Sequence, residues 1–455
     1  MRNVISVIDG EAGSCGKAKV IGEIATDRSI KIGAAVTNCM PNAGHTFVDE
    51  NGIATVFRNI PVSSVNPNTE LFIGPGSAID MDVFKDEYDR VSKYLNDRKI
   101  YVHEMVPLIN ERHKQYEKEH IKSGSTFKGC GAVTQEKVIR DKKLEFFKTF
   151  RNAVVCSNNE WLERLYKHLD DPFEYVLLEG AQGCDLDLNH SGNYPYVTSR
   201  NVSTAQLLAD SGISPERLLQ TIMVIRPFPI RISNITNSGD IIYTGAYGTG
   251  EELTWTQINL ASMYGYYPHK GDIDSFNYIL SKKLIQKGLK YCPEIYLKQI
   301  FGENYKNIDT KDVTILQALE MERLYWKSKG YDCYESRYLR NMPLIDNDFD
   351  DRTILDQSEQ TTVTKKERRI FDLDIQKLKN NCRINTPSSL YLNFFQHLSR
   401  DYMGLAGNYE DIWFDKPLRV YLEWLESETG IGISALGTGA KNGERIIKGQ
   451  LIKKL

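Results

Sequence analysis

The 455-residue chain lacks the marks of several protein classes. No apolar run approaches the roughly 20 residues that span a bilayer, and no cationic leader precedes the first apolar block, so a cytoplasmic location without a membrane partner is expected. The eight cysteines (Cys15, Cys39, Cys130, Cys156, Cys184, Cys292, Cys333 and Cys382) show no CxxC and no paired Cys/His spacing, which argues against a disulfide framework or a zinc site and leaves free thiols. A formal net charge of −3 offers no excess of positive charge to a nucleic acid or an acidic membrane. There is no Pro/Gly/Ser-rich spacer, internal repeat or low-complexity tract. What is present, 41 % hydrophobic and 26 % charged residues, is ordinary for a globular chain long enough to bury a large core.

Short apolar runs at Val4–Ile8, Ala34–Thr37, Leu71–Ile73, Ile100–Val102, Tyr175–Leu178 and Thr221–Val224 read as buried strands, several ending in Gly, Asn or Glu. Helical patterns lie between them, at Met81–Leu95 and at Glu160–Leu169, the latter after Ser157-Asn158-Asn159, which offers N-cap residues. The fold class expected is α/β: a mainly parallel central sheet flanked by helices, with ligands bound at the carboxyl ends of the strands. Residues 1–237 form the nucleotide-binding and catalytic frame. Residues 238–357, where Tyr, Lys and Asp dominate and 275–288 and 313–330 have amphipathic spacing, read as a mostly helical insertion. Residues 358–455 complete the catalytic domain, with a helix expected at Pro417–Glu426.

The chemistry gathers in short polar clusters. Ser6 to Lys19 reads as a strand entering a glycine-rich turn, in which Gly13 and Gly16 can turn backbone N–H groups toward an anion and Lys17 adds a cation. It is not a Walker A loop, because five residues separate Gly10 from Gly16-Lys17 and Ala18 stands where that loop needs Ser or Thr. An ordinary βα turn would have similar glycines. Asn42-Ala43-Gly44-His45-Thr46 sets a histidine that titrates near neutral pH on a small-residue turn, suited to protonating a developing oxyanion, although a lone histidine is more often structural. Gly124 to Gly131, with Ser125, Thr126 and Lys128, is a second anion loop or a mobile surface loop, and Arg140 follows it. In Glu179-Gly180-Ala181-Gln182-Gly183 and Tyr194-Pro195-Tyr196-Val197-Thr198-Ser199, Gln182 can read a base edge and Thr198 can bind phosphate. Thr361 to Arg369 gathers hydroxyls and cations as a carboxylate or phosphate site requires, or is a solvated basic run.

In order along the chain these clusters resemble the adenylosuccinate synthetase family, over roughly residues 1–236 and 358–447. The family's Gly-Asp-Glu-Gly-Lys-Gly-Lys turn, Asn-Ala-Gly-His-Thr, Gly-Ser-Thr-Gly-Lys/Arg-Gly, Glu-Gly-Ala-Gln-Gly, Tyr-Pro-aromatic-Val-Thr-Ser and Thr-Gly-Arg-x-Arg-Arg meet Gly13–Lys19, Asn42–Thr46, Gly124–Gly129, Glu179–Gly183, Tyr194–Ser199 and Thr364–Arg369. The resemblance implies a P-loop-like nucleotide-binding fold and a ligase that phosphorylates the 6-oxygen of a purine nucleotide, then lets the amine of aspartate displace the phosphate. It implies Ser14, His45 and Lys17 as catalytic residues, with His45 polarising the 6-oxygen. The purine nucleotide would meet Ser14, Asn42, Thr126, Arg140, Gln182 and Thr198, and the aspartate Thr364, Lys366 and Arg368. The triphosphate would meet Gly13, Gly16, Lys17, Gly44, Thr46, Asn393, Gln396 and Gly439, with Mg²⁺ at Ser14 and Gly44. A homodimer is implied, because the family residue matching Arg140 reaches into the partner's site.

The departures from the family carry their own information. Ser14 replaces the Asp that takes the purine N1 proton and binds magnesium, and Cys15 replaces the Glu beside it. A serine there is a weak base but leaves room for a 2-amino group. Asn393-Phe394-Phe395-Gln396 replaces the Thr-Lys-Leu-Asp that reads guanine, so ATP is expected in place of GTP, with Asn393 or Gln396 pairing with adenine. Lys365-Lys366 replaces the Gly-Arg of the aspartate loop and loses bidentate geometry. Together these resemble the viral branch of the family that makes 2-aminoadenylosuccinate from dGMP, aspartate and ATP. IMP and GTP chemistry, ligation of a different amine, and an inactive nucleotide-binding protein stand as alternatives.

Overall fold

The computed structural model describes residues 1–121, 125–232, 252–253, 255, 258, 262, 359, 368–414 and 416–455. An eleven-stranded sheet runs in the spatial order Gly407–Asn408, Arg445–Ile447, Ile433–Gly437, Ser389–Leu392, Leu218–Ile225, Val4–Asp9, Tyr175–Glu179, Ile32–Thr37, Glu70–Ile73, Ile100–His103 and Ala153–Cys156. Every pairing in it is parallel except that of Ile433–Gly437 with Arg445–Ile447. The six apolar runs of the sequence are all strands of this sheet. Its two faces are both apolar because side chains alternate: Val4, Ile8, Val36 and Leu178 pack on one side with Trp161, and Ile5, Val7, Ala35 and Leu177 on the other with Phe84.

Helices cover both faces. Met81–Leu95 forms over the span the sequence indicates, capped by Asp80, whose carboxylate accepts from the N–H of Asp82 and Val83. The second indicated helix begins two residues early, at Asn158–Leu169, because Ser157 and Glu160 form a reciprocal capping box. The C-terminal helix runs Lys416–Thr429. No helix among the described residues is long and apolar enough to cross a membrane.

A separate three-stranded antiparallel sheet places Arg368–Phe371 between Ile230–Ile232 and Glu252–Leu253. Glu252–Leu253 is thus a strand at the near end of the stretch expected to be mostly helical. The helical patterns at 275–288 and 313–330 lie outside the described residues, as do Gly124, Thr364 and Lys366. The parallel sheet brings the carboxyl ends of Val4–Asp9, Ile32–Thr37, Tyr175–Glu179, Leu218–Ile225 and Ser389–Leu392 to one edge, and the polar clusters of the sequence follow directly on these ends.

Candidate active site

The glycine-rich turn is built around a buried carboxylate. Asp9, the last residue of the central strand, is 1 % exposed and accepts from the N–H of Glu11, Gly13 and Cys15 at 3.1, 3.2 and 2.9 Å. Lys17 Nζ lies 3.2 Å from the same carboxylate and donates to the Gln182 carbonyl at 2.7 Å. The turn therefore differs from the expected open anion nest: the Gly13 N–H bonds Asp9, and Lys17 is held by a counter-ion. Gly16 caps the following helix Lys17–Thr26 with φ 84°. A Cβ there would stand 2.1 Å from Asn393 Nδ2, so a residue with a side chain would displace the base-site loop. Ser14, at φ 59°, is exposed at the crest of the turn. Glu11 and Cys15 turn inward, the thiol donating to Glu11 Oε2 at 3.2 Å, and burial raises the Glu11 carboxyl well above its usual range.

His45 opens the short hairpin His45–Val48 with Ala54–Phe57. Its Nε2 is 3.4 Å from Cys39 Sγ. Burial first, then the Lys17 ammonium, hold the imidazole down at about 3. The expectation of a histidine titrating near neutrality is corrected: with water excluded and a cation beside it the ring is neutral, and it acts as a hydrogen-bonding imidazole. Asn42, Gly44 and Thr46 flank it with partly open or exposed side chains and backbone, and the Asn42 backbone bonds the Cys130 thiol, which joins this turn to the Ser125–Gly131 loop.

Buried carboxylates also set the walls. Glu87 accepts from the N–H of Arg58, Asn59 and Ile60 at 2.6, 2.9 and 3.0 Å. Glu179 of the Glu-Gly-Ala-Gln-Gly cluster accepts from the N–H of Val62 and Ser63 at 2.8 and 2.9 Å and from the Ser63 hydroxyl at 2.6 Å. Glu117 accepts from Ser125 Oγ at 2.9 Å and from the N–H of Gly129 and Gly131 at 2.9 and 2.7 Å. The second anion loop is corrected by this last contact, since a resident carboxylate takes two of its glycine N–H groups. Thr126 and Lys128 remain as its side-chain donors, both partly open. The helix Cys130–Ile139, about 15 Å long at 1.5 Å per residue, lies between Thr126 and Arg140 in the chain, and Arg140 is exposed at its end.

Gln182, at φ 62°, gives its carbonyl to Lys17, and Thr198 N–H bonds the Leu186 carbonyl, which fixes both backbones beside the turn with side chains partly open. Asn393 is 3 % exposed and donates to the carbonyls of Cys15 and Gly16 at 3.0 and 3.5 Å. Its Nδ2 is thus occupied in holding the turn and does not donate to adenine in this arrangement. Gln396 stands beyond it with a buried Oε1 that has no partner among the described residues. Gly439 follows the strand Ile433–Gly437, on which Gly437 abuts Asn393. Arg368 starts the middle strand of the small sheet, is 12 % exposed at its side chain, lies 3.5 Å from Glu359, and has a buried Nε without a partner among the described residues.

The sequence does not single out Asp9 or Glu117. An aspartate closing a strand before a glycine turn is a signal that can find the first. Nothing local marks the second.

The adenylosuccinate synthetase profile matches residues 7–166 and 141–240, which together run from 7 to 240. The chain belongs to the adenylosuccinate synthetase family. The N6-succino-2-amino-2′-deoxyadenylate synthase of Vibrio phage phiVC8 is 33 % identical over 270 residues, 57 % of this chain and 74 % of the relative. The adenylosuccinate synthetase of Methanococcus aeolicus is 27 % identical over 329 residues, 69 % of this chain and 92 % of the relative. A solved structure of cyanophage S-2L succinoaminodeoxyadenylate synthetase, bound to dGMP and dATP as an energy donor, shares the fold with a TM-score of 0.63 at 21 % identity, covering 98 % of this chain and 95 % of that one. As a member of this family the chain is a C–N ligase that joins aspartate to a purine nucleotide.

Proposed function

We propose that the enzyme forms N6-succino-2-amino-2′-deoxyadenylate from dGMP, L-aspartate and ATP. The observation that carries this reading is Ser14: it is the exposed residue of the turn, while the carboxylates nearest it in sequence, Asp9 and Glu11, are buried and hydrogen-bonded beneath. A purine edge laid on Ser14 meets a small hydroxyl, which accepts from a 2-amino group that an aspartate would crowd. The two phage relatives named above act in the same direction, by their names and the bound dGMP.

The reaction would run in two steps. The γ-phosphoryl of ATP passes to the purine O6 with ADP leaving and the N1 proton passing to solvent, and the aspartate amine then attacks C6, gives up a proton to solvent and expels phosphate. His45, neutral and buried, would donate a hydrogen bond to O6 as charge builds there. Lys17 would leave or share its Asp9 contact to meet the γ-phosphoryl. Thr126 and Thr198 would hold the 5′-phosphate, with Asn42 and Gln182 along the nucleotide and Arg140 of a second copy completing the site in a cytoplasmic homodimer. Thr364, Lys366 and Arg368 would take the aspartate carboxylates, and the unpaired Arg368 Nε supports that role. Gln396 Oε1 is an acceptor suited to the 6-amino group of adenine, which supports ATP as the donor.

The hydroxyl of Ser14 and the carbonyl of Gly44 are hard oxygen donors that fit Mg²⁺, and no group of three His, Cys, Asp or Glu among the described residues would hold a metal unaided. An ion carried in on the triphosphate would neutralise the charge on its phosphates. Incubation with Mg²⁺ and aspartate against dGMP, GMP, IMP and dIMP separately, each with ATP or GTP, tests the reading by product mass. The dGMP and ATP pair should give the succino-adduct. An adduct from IMP and GTP alone would replace this reading with ordinary adenylosuccinate synthesis.

A further inference from the structure

Arg226 follows the strand Leu218–Ile225 and is fully buried, yet no step above uses it. Its guanidinium meets Glu359 with two parallel bonds, Nη2 to Oε1 at 2.5 Å and Nη1 to Oε2 at 3.0 Å. The same Nη1 donates to the Ser14 carbonyl at 3.3 Å, and the guanidinium carbon stands 4.0 Å from the centre of the Phe394 ring. Its backbone N–H donates to Glu11 Oε1, whose other oxygen takes the Cys15 thiol. Glu359 Oε2 in turn lies 3.5 Å from Arg368 Nη1, and the Glu359 backbone carbonyl accepts the Arg368 backbone N–H at 2.8 Å. One buried cation thus touches the crest of the turn, the ring before the proposed base site, and the carboxylate that borders the proposed aspartate residue.

We propose that Arg226 is a positioning residue that couples the amino-acid subsite to the purine subsite. The inference rests on the proposed roles of Arg368 and Ser14. Glu359 divides its carboxylate between two arginines. A substrate carboxylate on Arg368 draws that side chain away, and Glu359 then bears on Arg226 alone. The Ser14 bond, the longest of the three that Arg226 Nη groups make, is the one that adjusts, and Ser14 shifts against the purine edge. Lysine cannot replace Arg226 here, because a point cation cannot bridge a carboxylate in bidentate fashion and still reach a second acceptor.

Coupling of this kind is reciprocal and can be read at equilibrium. Full-length protein is titrated calorimetrically with dGMP, without ATP so that no reaction occurs, in the absence and presence of saturating L-aspartate. The dGMP dissociation constant should change by about fivefold or more in the wild type, the lower end of ordinary coupling. In Arg226→Lys and in Glu359→Gln the ratio should fall toward one, while each variant still binds dGMP. A merely structural role would lower thermal stability and leave the ratio unmoved. Should Arg226→Lys fail to fold, Glu359→Gln carries the test. No coupling in the wild type, or a wild-type ratio in a folded variant, overturns the proposal with the proposed function intact. Coupling seen with IMP and not with dGMP sustains the proposal and overturns the substrate reading, and absence of binding to either nucleotide overturns both.

Discussion

Residue by residue, the site depends on keeping polar groups in one defined state. His45 is neutral because burial and Lys17 both oppose its protonation. If it stabilises charge on O6 as a hydrogen-bond donor, His45→Ala should lower kcat by roughly two to four orders of magnitude, the range found for groups acting on the transition state. Steady-state kinetics check this, and a loss under threefold would assign His45 a structural role. The same neutrality has a pH consequence. Because the imidazole is already deprotonated far above its lowered pKa, the kcat profile of the wild type should show no limb from His45 between pH 6 and 8. Ser14→Asp places a carboxylate at the crest of the turn, where it accepts the N1 proton and crowds a 2-amino group. The ratio of kcat/KM for dGMP to that for IMP should fall by about tenfold or more, one hydrogen bond or clash being worth about 1–3 kcal/mol. An unchanged ratio in a folded, ATP-binding variant would mean that position 14 does not read the purine.

Among elements, the recurrent device is a buried glutamate that gathers a loop from a distance. Glu117, on the helix Glu111–His120, fixes Ser125 to Gly131 through three bonds. Glu117→Gln turns an N–H donor toward at least one of these donors, leaving it unsatisfied at about 1–3 kcal/mol. With Thr126 proposed on the 5′-phosphate, the KM for the purine nucleotide should rise about tenfold while kcat moves less, which initial-rate kinetics against dGMP will check. These devices explain what the sequence withholds. Strands such as Val4–Asp9 and the helix Met81–Leu95 are legible because alternation and 3.6-residue spacing are local. The Ser157 cap is legible for the same reason. That Asp9 fills the turn, that Glu179 holds Val62 and Ser63 across the sheet edge, and that Asn393 clamps Gly16 are not, since each bond joins residues whose approach only the finished topology sets. The motifs show where the site lies, and tertiary hydrogen bonding decides which of their atoms are left to meet a ligand.

For the molecule as a whole, the edge of the sheet opposite the site carries a charge cluster that ties its strands. His168 lies 2.6 Å from both Glu70 and Glu174 through its two ring nitrogens, and Lys31 adds a contact to Glu174 at 2.8 Å. Burial opposes the imidazolium, but the bonds from Glu70 and Glu174 outweigh it and raise the His168 pKa above 6.5. A raised pKa in the folded state gives stability that is fully present below the unfolded value and is lost as pH rises through the folded one. Glu174, also burdened by burial, is lowered by Lys31 and His168, so its share is present above the unfolded value and is lost as pH falls through its own. His168→Gln should therefore destabilise by about 1–3 kcal/mol near pH 6, and by progressively less toward pH 9. Chemical denaturation at the two pH values reads the difference, and an equal loss at both would show that the cluster acts by packing.

Whether this ligase takes a 2-amino purine deoxynucleotide is decided by competition. Equimolar dGMP and IMP are supplied in one reaction with ATP, Mg²⁺ and L-aspartate, and the two succino-adducts are quantified by mass at early times. Their ratio is the ratio of kcat/KM values. The adduct of dGMP should dominate by at least about tenfold. A majority of adenylosuccinate would contradict the proposed function.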